Sequence, residues 1–251
     1  MLSPRAEQLI TEYLNLPFPG VIGARCPYFN NTRSKQRAQL GVLIGKGNPR
    51  DIVEETQIIA AQYRAKEILS STPEKIREFL INNNLGIECS GFVTRVLSAH
   101  FRETAGVNLI EKLFIVSPKH FLRWLITKLR PIENINVNVY TNDKNTEKIK
   151  WRDARAGDVI IFLGTNSRYN RNHIILITEK TDQTAKYVHA RAWASEGKYG
   201  HGVCEGEIKN ANPTGEILEQ TWVEKNKIGS ENETYLEAVQ AKTVEIRRIK
   251  I

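Results

Sequence analysis

The chain predicts an α+β fold, with helices gathered in its first half and strands after Trp151. Apolar residues recur at helical spacing up to about Leu97, whereas Gly157-Asp158-Val159-Ile160-Ile161-Phe162, Asn172 to Ile177 and Lys186 to Ala190 are short runs bounded by polar turns. Between them lies a loop that turns into a helix, Gly86-Ile87-Glu88-Cys89-Ser90-Gly91-Phe92-Val93-Thr94-Arg95-Val96-Leu97. A content of 41% hydrophobic and 25% charged residues over 251 positions suits one sizeable core, so a single domain spanning 1–251 is expected.

Ser3-Pro4 supplies an N-cap and a proline at the first helical position, and Leu9, Ile10, Tyr13 and Leu14 give a short amphipathic helix ending before Pro17. A helical pattern then runs from Pro49 to about Ser70 through Ile52, Val53, Ile58, Ile59, Tyr63 and Ile68. Ser71-Thr72-Pro73-Glu74 caps a second helix with Ile76, Phe79 and Leu80 on its buried face. In the segment after Cys89, Phe92, Val93, Val96 and Leu97 form one apolar stripe. Ser117-Pro118 opens a further helix with Phe121, Leu122, Leu125, Ile126 and Leu129 on one face; His120 and Trp124 on it read as surface or packing residues. Ile135, Val137 and Val139 alternate with Asn and predict a half-buried strand. In the strand run after Asn172, alternation places Ile174, Leu176 and Thr178 on the face opposite His173, Ile175 and Ile177. Gly197, Gly200, Gly202 and Gly206 predict a flexible loop at the rim of a cleft, and Thr243 to Lys250 a last strand closing the sheet.

The net charge of +8, from 36 Lys and Arg against 28 Asp and Glu, attracts polyanions without choosing one. The basic residues are scattered and carry no zinc finger, RNA-binding signature or heptads, so they predict a solvated basic surface and no nucleic-acid partner; an anionic bacterial wall suits the same charge. Cys26, Cys89 and Cys204 are too few and uneven for a disulfide framework. His201 and Cys204 stand three apart with no second pair, so neither a metal nor any other cofactor is expected. Met1 to Gln8 lacks the charged-then-apolar run of a signal peptide, and no apolar stretch is long enough to span a bilayer, which places the chain in the cytoplasm by default, with action outside if delivered by another route.

Cys89 falls in the first turn of its helix, where free backbone N–H groups and the positive end of the dipole favour a thiolate, so a depressed thiol pKa is expected. Gly91, with no side chain, would let another segment approach the sulfur closely. The alternative is that Cys89 is a small buried hydrophobe. Cys89 opening a helix, then Gly157-Asp158 and an apolar run, then His173 heading one strand and His189 on the next, resemble the NlpC/P60 family of papain-like cysteine peptidases and amidases. The departures are Glu88 where Asp is usual, and two longer stretches.

The resemblance implies an α+β papain-like fold in which the Cys89 helix packs on an antiparallel sheet bearing both histidines, with insertions at 34–84 and 107–150. It implies hydrolysis of an amide bond in peptidoglycan-type peptides, typically the γ-D-glutamyl to diamino-acid link. Amidases and acyltransferases of other substrates share the fold, and a basic nucleic-acid-binding protein or an inactive wall-binding module are alternatives of another class. Cys89 takes the role of nucleophile, His173 that of general base and acid, and His189 that of the group orienting His173. Tyr28, in Gly23-Ala24-Arg25-Cys26-Pro27-Tyr28, resembles the cleft-lining tyrosine of the family; Glu88, Ser90 and Asp158 are the other substrate-binding candidates.

Overall fold

The computed structural model describes residues 1–29, 41–116, 127, 129–165 and 171–251. Ser3 accepts from the Ala6 amide and Pro4 follows it, starting α1 (Pro4–Leu14) where no donor is required. Asn48 and Asp51 form a capping box at the head of α2 (Pro49–Gln62). This helix stops short of the expected Ser70: Arg64 takes a positive φ of 55°, and the rest of the stretch is the tighter turn Lys66–Ser70. Thr72 caps α3 (Pro73–Asn82). The fourth helix, α4 (Cys89–Ala105), ends on Gly106, whose φ of 65° suits a residue without a Cβ. Its stripe Phe92, Val93, Val96 and Leu97 is fully buried, each side chain contributing roughly 1.5–3 kcal/mol by leaving water.

Among the described residues eight strands form one antiparallel sheet: β1 (Thr146–Ile149), β2 (Val159–Leu163), β3 (Asn172–Lys180), β4 (Thr184–Arg191), β5 (Gly202–Lys209), β6 (Thr221–Glu224), β7 (Lys227–Ile228) and β8 (Thr243–Ile249). They are ordered β1-β8-β2-β3-β4-β5-β6-β7. The fold is therefore α+β. On one face Val159, Ile161, Ile174, Leu176, Val188 and Ala190 pack with α1 to α4, and α4 lies directly against β3 and β4. The other face buries Ile160, Phe162, Ile175, Ile177, Tyr187 and Trp222, with Ala238 of α5 (Glu233–Gln240) over them. Alternation along each strand divides the two layers as expected for His173, Ile174, Ile175, Leu176 and Ile177.

Three expectations are corrected. Val137–Tyr140 is a helical turn, not a strand: Asn136 accepts from the Asn138 amide, and the carbonyls of Ile135 and Val139 are taken by the side chains of Lys46 and Asn145 rather than by a neighbouring strand. The glycine-punctuated rim contains β5, paired along its whole length with β4. Gly206 there stands opposite Tyr187, and a Cβ on it would collide with that ring. Finally, the Thr243–Ile249 strand lies inside the sheet, between β1 and β2. The helix expected from Ser117 lies outside the described residues apart from Thr127 and Leu129. Among the described residues no helix is long and apolar enough to cross a membrane.

Gly91 admits the Gly45 backbone and the Lys46 side chain against the start of α4: a Cβ on Gly91 would sit 2.5 Å from the Gly45 carbonyl oxygen. Gly91→Ala is therefore expected to lower the denaturant midpoint, at a cost of about 1–3 kcal/mol as for other overpacked sites. An unchanged midpoint would show that the Gly45 loop yields freely.

Candidate active site

Cys89 is the first residue of α4, and Glu88 before it makes no side-chain cap, so the first-turn amides lack an internal acceptor. The Cys89 sulfur accepts from the backbone N–H of Ile174, the residue after His173. The β3–β4 ladder begins only at Leu176 and Val188, which leaves this end of β3 with an edge open toward β4. Burial pushes the Cys89 thiol up to about 12, Glu88 adds to the rise, and Lys46 opposes it. The expected depression is overturned for a reason of magnitude. A helix end supplies about 0.3–1 kcal/mol, less than one pKa unit, and removal from water outweighs it.

Lys46 is buried beside this turn, paired with Glu88, and donates to the Ser90 hydroxyl at 2.8 Å and to the Ile135 carbonyl at 2.5 Å. Ser90 in turn donates to Glu88 at 2.7 Å. Glu88 and Ser90 thus clamp the start of α4 to the Gly45–Lys46 segment. Tyr28 is held beside Ile87 by a parallel bridge, and Cys89 and Glu88 are among the groups that, with burial, push its hydroxyl pKa up. Asp158 lies elsewhere. It precedes β2 opposite Ile177, four residues and roughly 13 Å along the strand from His173. Arg248 bonds both its oxygens at 2.8 Å, and the Arg155 amide donates to it at 2.7 Å.

His173 and His189 meet. His173 Nε2 lies 2.7 Å from His189 Nδ1, and His189 Nε2 lies 3.1 Å from Glu224 Oε2. Both rings project on the face of Phe162 and Tyr187, against which they pack at centroid distances of 5.9 and 5.4 Å. Burial holds both imidazoles below the ordinary histidine range, His173 far below it. No direct thiol–imidazole hydrogen bond joins Cys89 to His173 among the described residues. Sulfur and ring instead approach one peptide of β3, the sulfur at the Ile174 amide and the ring one residue before it.

No family model, curated protein or solved structure matches this chain. What the site can do is set by its own groups. Among the described residues no group of three or more His, Cys, Asp or Glu is placed to hold a metal ion. Cys204 takes the Arg25 guanidinium at 2.7 Å, and His201 donates to the Trp193 carbonyl at 3.0 Å. A cavity of about 510 Å³ between α1, the start of α2 and α4 is lined by Arg5, Arg50, Arg95 and Arg102 but by no cysteine or histidine, so it is separate from this site.

Sequence reasoning missed Glu224, Lys46 and Glu237. Burial pushes Glu237, on α5, up to about 7; Thr165 hydrogen-bonds it, and its charge reaches both Cys89 and Tyr28. Trp222 and Glu224 alternate with half-buried neighbours in β6, the one pattern that points Glu224 inward.

Removing Glu88 takes away a charge that raises the thiol pKa, and removing Lys46 takes away one that lowers it. At about pH 8, where alkylation follows the thiolate fraction, iodoacetamide should label Cys89 faster in Glu88→Gln and slower in Lys46→Met than in the parent. Peptide mapping by mass spectrometry reads both; equal rates would show that neither charge acts on the sulfur.

Proposed function

We propose that this chain is a cysteine hydrolase of amide bonds in peptidoglycan-type peptides, with a papain-like core of the NlpC/P60 kind. The observation that carries the reading is the convergence on one end of β3 of a helix-start thiol and a histidine whose far nitrogen is bonded 2.7 Å from a second histidine. The substrate class comes from the resemblance, which makes Tyr28 a cleft residue; Tyr28 is near enough for a charge on Cys89 to act on its hydroxyl.

Thiol and imidazole are both neutral at rest, so the nucleophile is made during attack rather than stored as an ion pair. His173 takes the thiol proton as the sulfur–carbon bond forms, and gives it to the departing amine as the carbon–nitrogen bond breaks. Water then attacks the thioester, losing a proton to His173; the carbon–sulfur bond breaks as the acid leaves, and His173 returns that proton to the Cys89 sulfur. The oxyanion formed in each half falls to the uncapped amides at the start of α4. Glu88 and Ser90, held by Lys46, fix where that turn sits.

Incubation with purified muropeptides and mass spectrometry of the products tests the reading. Cleavage should withstand EDTA and be abolished by alkylation or by Cys89→Ala. His173→Ala and His173→Gln should each lose about 10²- to 10⁴-fold or more, the range of a positioned acid–base group, while His189→Gln retains a measurable fraction. Absence of cleavage across muropeptides would remove the substrate class. Transfer of the acyl group to an added amine in place of water would make the protein an acyltransferase.

A further inference from the structure

We propose that Glu224 is a positioning residue for the two histidines: its carboxylate dictates on which nitrogen each ring carries its proton and so leaves the lone pair of His173 on Nδ1. The consequence for turnover rests on the hydrolase reading above, whereas the proton arrangement does not.

Glu224 sits at the end of β6, fully enclosed, and four groups converge on it. Its Oε2 lies 3.0 Å from the Tyr187 hydroxyl, 2.9 Å from the Thr234 hydroxyl and 3.1 Å from His189 Nε2; its Oε1 lies 2.6 Å from Arg191 Nε. Against the cost of burial, the hydrogen bond from His189 and the charge and hydrogen bond of Arg191 hold its carboxyl down at about 2, so it is ionised near neutrality. An ionised carboxylate has no proton to give, and every neighbour must therefore donate. Thr234 provides an internal check. Its oxygen receives the Trp193 indole N–H at 2.9 Å, which leaves its own proton directed at Glu224.

The rest follows step by step. His189 carries its proton on Nε2, and because burial keeps this ring neutral, its Nδ1 is a bare lone pair. The 2.7 Å contact from that nitrogen to His173 Nε2 then requires the proton on His173 Nε2. His173 is neutral as well, so its other nitrogen, Nδ1, is unprotonated. Nδ1 has no hydrogen-bond partner among the described residues. When it accepts the thiol proton, the new imidazolium already donates through Nε2 to His189, which donates to Glu224. No proton has to move beyond His173.

The charged and titratable groups facing Glu224 are Tyr187, His189 and Arg191 on β4, Cys204 opposite His189 on β5, Glu196 and Lys225 behind Arg191, and Glu237 on α5. Gln at 224 turns one acceptor atom into an amide donor. It can then donate to His189 Nε2, which moves that proton to Nδ1, reverses the contact to His173 and places a proton on the nitrogen that must act as base.

Long-range ¹H–¹⁵N spectra of the full chain with labelled histidine, near neutral pH, report the tautomers directly; His100→Gln, His120→Gln and His201→Gln assign the remaining two rings. The expected result is Nε2–H on both His173 and His189 in the parent, and loss of that form in Glu224→Gln. Muropeptide turnover in Glu224→Gln should fall roughly 10²-fold or more in kcat with little change in KM, since only the base and not the cleft is altered. An Nδ1–H tautomer on either ring of the parent overturns the proposal, and this holds even if the variant fails to fold. Unchanged tautomers in a folded Glu224→Gln overturn it too. Parent tautomers as assigned, together with no cleavage of any muropeptide, support the role of Glu224 and count against the hydrolase reading alone.

Discussion

An ionised carboxylate enclosed in an otherwise apolar layer costs several kcal/mol unless donors surround it, and Glu224 imposes that condition on the β4–β6 side of the sheet. Tyr187 can reach it only because its cross-strand partner is Gly206. Thr234 reaches it because Asn232 starts α5 at that point, accepting from the Thr234 and Tyr235 amides. Arg191 is held by Glu196 on one side and stacks 3.8 Å over the Trp193 ring on the other. Four elements and a turn are thereby fixed by one side chain, and the ring of His189 is fixed with them.

The opposite layer is organised by a different buried charge. Lys46, held by Glu88, Ser90 and the Ile135 carbonyl, fastens the start of α4 to the loop before α2 and sets where Cys89 meets the sheet. The apolar stripe of α4 packs on Ile174 and Leu176, while His173 projects on the other face with Phe162. Strict alternation would keep a helix-borne sulfur and a strand-borne imidazole apart. The sulfur instead meets β3 at the Ile174 backbone amide, one residue from His173, at the end where β3 is unpaired from β4.

Much of this was legible in the sequence wherever one periodicity ran long enough. The caps at Ser3 and Thr72, the Cys89 stripe and the apolar runs at Val159 and Ile174 each carry several agreeing signals. Ile135, Val137 and Val139 misled because burial at alternate positions is also met by a helical turn whose carbonyls are taken by distant side chains, a tertiary arrangement that no local pattern encodes. Strand β5 was hidden by Gly202 and Gly206, which read as loop punctuation but are close-approach positions within the ladder. Cys89 and His173 were visible as residue types at a helix start and a strand start, and His189 as a histidine on the next strand. Glu224 was not, since one glutamate in a short strand beside Lys225 and Asn226 looks like a solvated turn until its partners from β4 and α5 are placed around it.

The two buried layers bear on one chemical question. A thiol held near 12 yields few thiolates, although each is a stronger nucleophile than one of lower pKa. An imidazole held below its usual range is a weak base. Neither group ionises the other in advance, so in the hydrolysis proposed above proton transfer and attack have to occur together, and only an imidazole nitrogen whose lone pair is free can take part. A histidine free to exchange tautomers would present the wrong nitrogen for part of the time, whereas a ring whose far N–H is committed to a fixed acceptor cannot. The buried carboxylate and the desolvated thiol are in this sense one design: the more the site suppresses charge at rest, the more it depends on proton positions set from outside the reacting pair.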